Sequence, residues 1–236
     1  MYRGESIAKK AVRVCKWLDT ATCLGQQFCK VRHIFLASRV AGDVSTLSAM
    51  KIPAPLIWAV ERDQIERQQM IERLLSLGVR VFPGNIADVV RKYRGRDNGS
   101  AFLDFCGTLA SKEIEGTIRE IVSLMCRESV VSITVERRAR AYEFDREAAL
   151  IQMVKESTCF PVSLTQSISY QSRSEDSKGS PMLTMSFFIG SWRAARLDRL
   201  QLLNFNEEDL LSLATDRILK AGYQPSMINR FLNNEV

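Results

Sequence analysis

The chain has 236 residues, of which 46% are hydrophobic and 25% charged. This is ordinary globular composition, enough to bury a real core, and it excludes collagenous, disordered and mucin-like chains. No stretch approaches the roughly 18 consecutive apolar residues of a membrane span, and the N-terminal MYRGESIAKKAVRV lacks the apolar run of a signal peptide, so no membrane partner and an intracellular, cytoplasmic location are expected. The 33 basic and 27 acidic side chains give a net charge of +6, and residues 1–40 carry all of the excess with eight basic groups, among them Arg13 and Lys16, against Glu5 and Asp19. Such a distribution suits an anionic partner such as nucleic acid, or it is simply a solvated basic helix face.

In chain order, short apolar runs alternate with segments of helical period. Residues 1–30 read as a basic helical segment in which Ile7, Ala11, Val12, Cys15 and Leu18 make one stripe. Strands are predicted at 34–37, 56–60, 79–82, 101–104 and 130–135, with helices in the gaps, the clearest at 64–77 and 111–127. Two strand-like runs, 162–171 and 182–190, are joined by a polar stretch and read as a β-hairpin. Helices at 207–220 and 225–232 follow, faintly resembling a helix-turn-helix with Arg230 as the one basic residue of its second helix, or else a pair that docks on the domain or on a protein partner. The domain limits implied are 1–30, 31–192 and 193–236.

In an open α/β sheet, ligands bind beyond the carboxyl ends of the strands, so the strand-end residues carry the functional reading. The second strand ends in Trp58-Ala59-Val60-Glu61, the third in Val81-Phe82-Pro83-Gly84-Asn85-Ile86 and the fourth in Leu103-Asp104-Phe105-Cys106, while Ala37 to Asp43 follow the first strand and contain Gly42. In order and spacing these steps resemble the class I S-adenosylmethionine-dependent methyltransferase family over residues 31–192. The resemblance implies a Rossmann-like α/β fold: a mainly parallel sheet with helices on both faces, closed by a C-terminal antiparallel hairpin. It further implies S-adenosylmethionine as cofactor, with Gly42 beside the methionine carboxylate, Glu61 accepting from the ribose hydroxyls, Asn85 and Ile86 at the adenine, and Asp104 facing the methyl acceptor. Each has a plainer reading, Glu61 as a helix N-terminal acid and residues 83–86 as a turn into a helix. Cys106 is either a nucleophile or a small packed residue.

Cys15, Cys23, Cys29 and His33, spaced C-x7-C-x5-C-x3-H, resemble a CCCH zinc finger, which implies zinc and single-stranded RNA. The alternative places Cys15 in the core of a helix and His33 at the edge of the first strand. Arg91, Lys92, Arg94, Arg96, Arg137, Arg138 and Arg140 are further basic candidates for nucleic acid at the cleft. The functions expected are thus a methyltransferase acting on nucleic acid, an inert scaffold of the same fold, or an RNA-binding zinc protein.

Overall fold

The computed structural model describes residues 6–37, 42–95, 97–105, 109, 111–136, 145–172, 180–191, 198–202 and 206–232. The loop residues 38–41, Arg96, Cys106, Arg137, Arg138, Arg140 and most of the hairpin turn lie outside them.

The helix α1 (Ile7–Leu24) starts where Ser6 Oγ accepts from the Lys9 N–H and stops at Gly25, whose φ of 52° suits a residue without a Cβ. It leads to β1 (Arg32–Leu36), α2 (Gly42–Ala49), β2 (Ile57–Glu61), α3 (Gln64–Leu74), β3 (Arg80–Pro83), α4 (Ile86–Lys92), β4 (Asn98–Asp104), α5 (Lys112–Leu124), β5 (Ser129–Glu136) and α6 (Arg146–Glu156). The hairpin strands β6 (Val162–Ser172) and β7 (Ser180–Ile189), then β8 (Asp198–Leu202), α7 (Glu207–Lys220) and α8 (Ile228–Leu232), complete the order. Capping explains several starts: Asp63 accepts from Ile65 and Glu66 at α3, Asp145 from Glu147 and Ala148 at α6, and Asn206 from Asp209 at α7.

One eight-stranded sheet runs β3-β2-β1-β4-β5-β7-β6-β8. β1 to β5 are mutually parallel, β7 is antiparallel to both β5 and β6, and β8 pairs parallel with β6. The fold class expected from the sequence is the one found, with one correction. The hairpin does not close the sheet, because β8, in a segment expected to be helical, lies outside it.

Alternation along the strands divides two cores. Phe35, Ile57, Ala59, Phe102 and Val130 share a cluster with α1, α2, α3, α7 and α8. Ile34, Trp58, Val60, Ala101, Leu103 and Val131 share the other with α4, α5 and α6. The N- and C-terminal helices therefore pack on one face of the sheet: the stripe Leu210, Ala214, Ile218, Phe231 and Leu232 is buried there, so the docking expected of the C-terminal pair is intramolecular. Among the described residues no helix is long and apolar enough to cross a membrane.

Candidate functional site

The parallel strands β1 to β4 end together, and their last residues form two neighbouring groups. On one side, Glu61 lies in register with Pro83, and the Gly84 N–H donates to the Glu61 carbonyl at 3.2 Å. Glu61 is half-buried, and its Oε1 accepts from the Asp63 N–H at 2.8 Å. The helix-capping acid is Asp63 rather than Glu61, and the second carboxylate oxygen of Glu61 remains an acceptor. Asn85 is exposed and caps α4, its Oδ1 accepting from the Ala87 N–H at 3.0 Å and its amide nitrogen remaining a donor. Arg62, next to Glu61, pairs with Glu113 at the start of α5 at 2.9 Å, bridging the end of β2 to that helix.

Ile86 is a correction. It is only 1% exposed and belongs to the core cluster that holds Trp58 and Val60, so its surface is spent inside the protein rather than offered to a ring. The exposed apolar side chain on this side is Ile65, 68% accessible in the first turn of α3. An apolar residue just after an N-cap, off the inward stripe, is the sequence signal that would have found it.

The second group lies between β1 and β4. Gly42 opens α2, and a Cβ there would collide with the guanidinium of Arg13, a residue of α1 that is only 4% exposed. The glycine thus makes room for Arg13. Asp43 beside it accepts from Lys16 Nζ and from Trp17 Nε1, each at 2.6 Å. Burial alone would raise the Asp43 carboxyl, but Lys16 and Arg13 outweigh it and hold the group below the usual carboxylate range. Burial pulls the Lys16 ammonium down to about 8 against the attraction of Asp43, and the charge of Asp104 also favours the protonated form. Lys16 Nζ further sits 2.9 Å from the centroid of the Phe102 ring. Asp104 is half-buried at the end of β4, in register with Thr134 of β5. The structure therefore sets Gly42 against Arg13 and leaves Lys16 within the electrostatic influence of Asp104, in a buried charge cluster that the sequence reading did not identify. Its signal is the set Arg13, Lys16, Trp17 and Thr20, polar or amphipathic groups at i, i+3, i+4 and i+7 on one helical face.

That cluster also corrects the basic N-terminal surface. Arg13 and Lys16 are buried, and Arg32 pairs with Asp97 at 3.2 Å, so three of the eight N-terminal cations face inward or hold a partner. Arg91, Lys92 and Arg94 lie at the far end of α4, which runs back from the carboxyl end of β3 to the amino end of β4, and so they flank the opposite edge of the sheet. Arg91 there pairs with Asp88 and Glu120.

The zinc reading fails on geometry. Cys15 is fully buried within α1, Cys29 is exposed, and the Cys23 thiol is pushed up to about 12, by burial first and by Asp19 second. His33 spends both ring nitrogens: Nε2 donates to the Phe28 carbonyl and Nδ1 accepts from Ser100 Oγ, each at 2.8 Å. Among the described residues no group of three or more His, Cys, Asp or Glu side chains is placed to hold a metal.

No family model matches the chain, and no curated protein matches it. Solved structures do. The plantazolicin methyltransferase BamL, in complex with a triazolic desmethylPZN analogue and SAH, aligns at a TM-score of 0.53 and 11% identity, over 77% of this chain and 86% of its own. A candidate RNA methyltransferase from Pyrococcus horikoshii aligns at 0.51 and 14%, over 75% and 83% respectively. The fold is that of the class I S-adenosylmethionine-dependent methyltransferases.

Proposed function

We propose that the chain is a methyltransferase-like protein that binds S-adenosylmethionine across the carboxyl ends of β1 to β4. The observation that carries this reading is the pair of strand-end carboxylates, Glu61 and Asp104, flanking β1 in a sheet of this order. The donor set fits the adenosine part: Glu61 keeps a carboxylate oxygen for the ribose hydroxyls, and the Asn85 amide donates to a ring nitrogen. Gly42 would stand beside the amino-acid part, next to the Arg13 and Lys16 cations.

When bound, S-adenosylmethionine supplies an electrophilic methyl carbon. The chain's own contribution is alignment in a dry site, where Asp104 accepts a hydrogen bond from the acceptor's N–H or O–H and so orients its lone pair. We further propose a nucleic-acid acceptor, which the net charge of +6 supports. The shared fold with a candidate RNA methyltransferase points the same way.

Calorimetry tests this. The protein is expected to bind S-adenosylmethionine or its demethylated product at micromolar strength, about −8 kcal/mol, and Glu61→Ala to weaken that binding about tenfold or more. Unchanged binding in that variant overturns the pocket assignment. A second reading, an inert scaffold of the same fold, is favoured by one feature: Gly42 accommodates Arg13 of α1, so the glycine has a structural use without any cofactor. Absence of binding to the unmodified chain would select it.

A further inference from the structure

A second concavity lies at the opposite edge of the sheet from Glu61 and Asp104. It encloses about 860 Å³ and is walled by the loops that precede β1, β4, β5 and β6. That volume is in the usual range for small-molecule sites. Its apolar wall includes Val31, Met125 and Phe160, and its charged groups are Arg94, Arg127 and Glu128. Neither guanidinium makes an ion pair among the described residues, so two cations stand against one carboxylate. The Thr158 hydroxyl accepts from the Phe160 N–H at 3.3 Å, which leaves its own hydrogen to donate. The polar groups that remain uncommitted are thus chiefly donors, presented from three different loops above an apolar wall that includes an aromatic ring.

From this arrangement we propose a second ligand site for a phosphomonoester of mononucleotide size, its phosphate held by Arg94 and Arg127 and its planar body against the half-buried Phe160. A guanidinium fork matches phosphate oxygens in pairs, and two forks from separate loops select a terminal, doubly charged phosphate over a neutral molecule. The site is independent of the cofactor pocket proposed above, since the two occupy opposite ends of the strands.

Cys159 lines this cavity and is exposed, which gives a direct readout. Alkylation of Cys159 by iodoacetamide, followed by mass spectrometry of its peptide, is measured in the full chain with AMP, adenosine or inorganic phosphate. AMP is expected to slow the reaction about tenfold at ten times its dissociation constant, whereas adenosine or phosphate at the same concentration leaves the rate within about twofold. The double variant Arg94→Gln/Arg127→Gln, at two exposed positions, should lose the protection while keeping the circular dichroism of the parent. No protection by AMP, equal protection by adenosine, or protection that survives in the double variant would overturn the proposal. So would displacement of AMP from Cys159 by S-adenosylhomocysteine.

Discussion

The two faces of the central sheet are built on different principles. The face under α4, α5 and α6 is chiefly hydrocarbon: Trp58, Ile133, Phe187, Ile118 and Ile121 are at most 1% exposed in one cluster, with Ser129, Ser167 and Ser169 as buried polar groups among them. Beneath α1 the same strands present His33, Ser100, Ser132, Thr134, Thr184 and Ser186, all buried. Ser132 pairs with Ser186 at 2.9 Å and Thr134 with Thr184 at 2.7 Å, and Asp19 of α1 accepts from Thr165 Oγ1 at 2.7 Å. Apolar burial is non-directional and holds helices by area, whereas a buried polar seam stabilises only when each group meets its partner. α1 is therefore positioned by particular hydrogen bonds, and that specified face is also where Asp43 and Asp104 lie.

The sharpest way to set the faces apart is to cut each one. Phe187→Ala on the apolar face should cost about 4 kcal/mol in denaturant unfolding, from lost transfer energy plus a cavity. On the polar face, Lys16→Met leaves Asp43 buried without its ammonium and should cost about 3 kcal/mol, of which Lys16→Met/Asp43→Asn recovers more than half. An apolar pair of variants has no such rescue, so failure of the double variant to recover would break the contrast.

Acid should act through the polar face. Burial holds His33 neutral and its ring down at about 4, against an ordinary value of 6.5. The unfolded chain then binds the extra proton, so stability is complete above pH 6.5 and is lost as the pH falls toward 4. The cost between pH 7 and pH 5 is about 2 kcal/mol, read as a fall in the denaturation midpoint that should vanish in a variant without the imidazole. The smallest expected effect is Thr134→Val, about 1 kcal/mol for the partner hydroxyl left in Thr184, whereas Thr134→Val/Thr184→Val should return close to the parent because no polar group then remains unpaired.

Much of the architecture was legible in the chain because it depends on local signals. The helix α7 has the limits its stripe and acidic first turn indicate, and the parallel strands fall within three residues of the apolar runs that announce them. Two elements were not legible for a physical reason. The short strand β8 has no apolar run of its own and exists through pairing with β6, and the inward place of Ile86 depends on the rotation of α4 over the sheet. Arg13 and Lys16 read as surface cations because charge in sequence carries no information about depth. The zinc spacing misled for the same reason: four residues close in sequence were divided among the interior of a helix, its C-terminal end, an exposed turn and a buried strand.

The sequence by itself determined the order of elements as far as the hairpin, the parallel sheet, and the placement of Glu61 and Asp104 at strand ends and of Asn85 at the turn into α4, because period, caps and turns are written residue by residue. The tertiary structure alone decided that α1 drives Arg13 and Lys16 against Gly42 and Asp43, and that Arg94 and Arg127 line one cavity at the other edge. Both are long-range arrangements, set by how helices pack on the sheet, and hydrophobic burial determines which charges can come together only once the chain has closed.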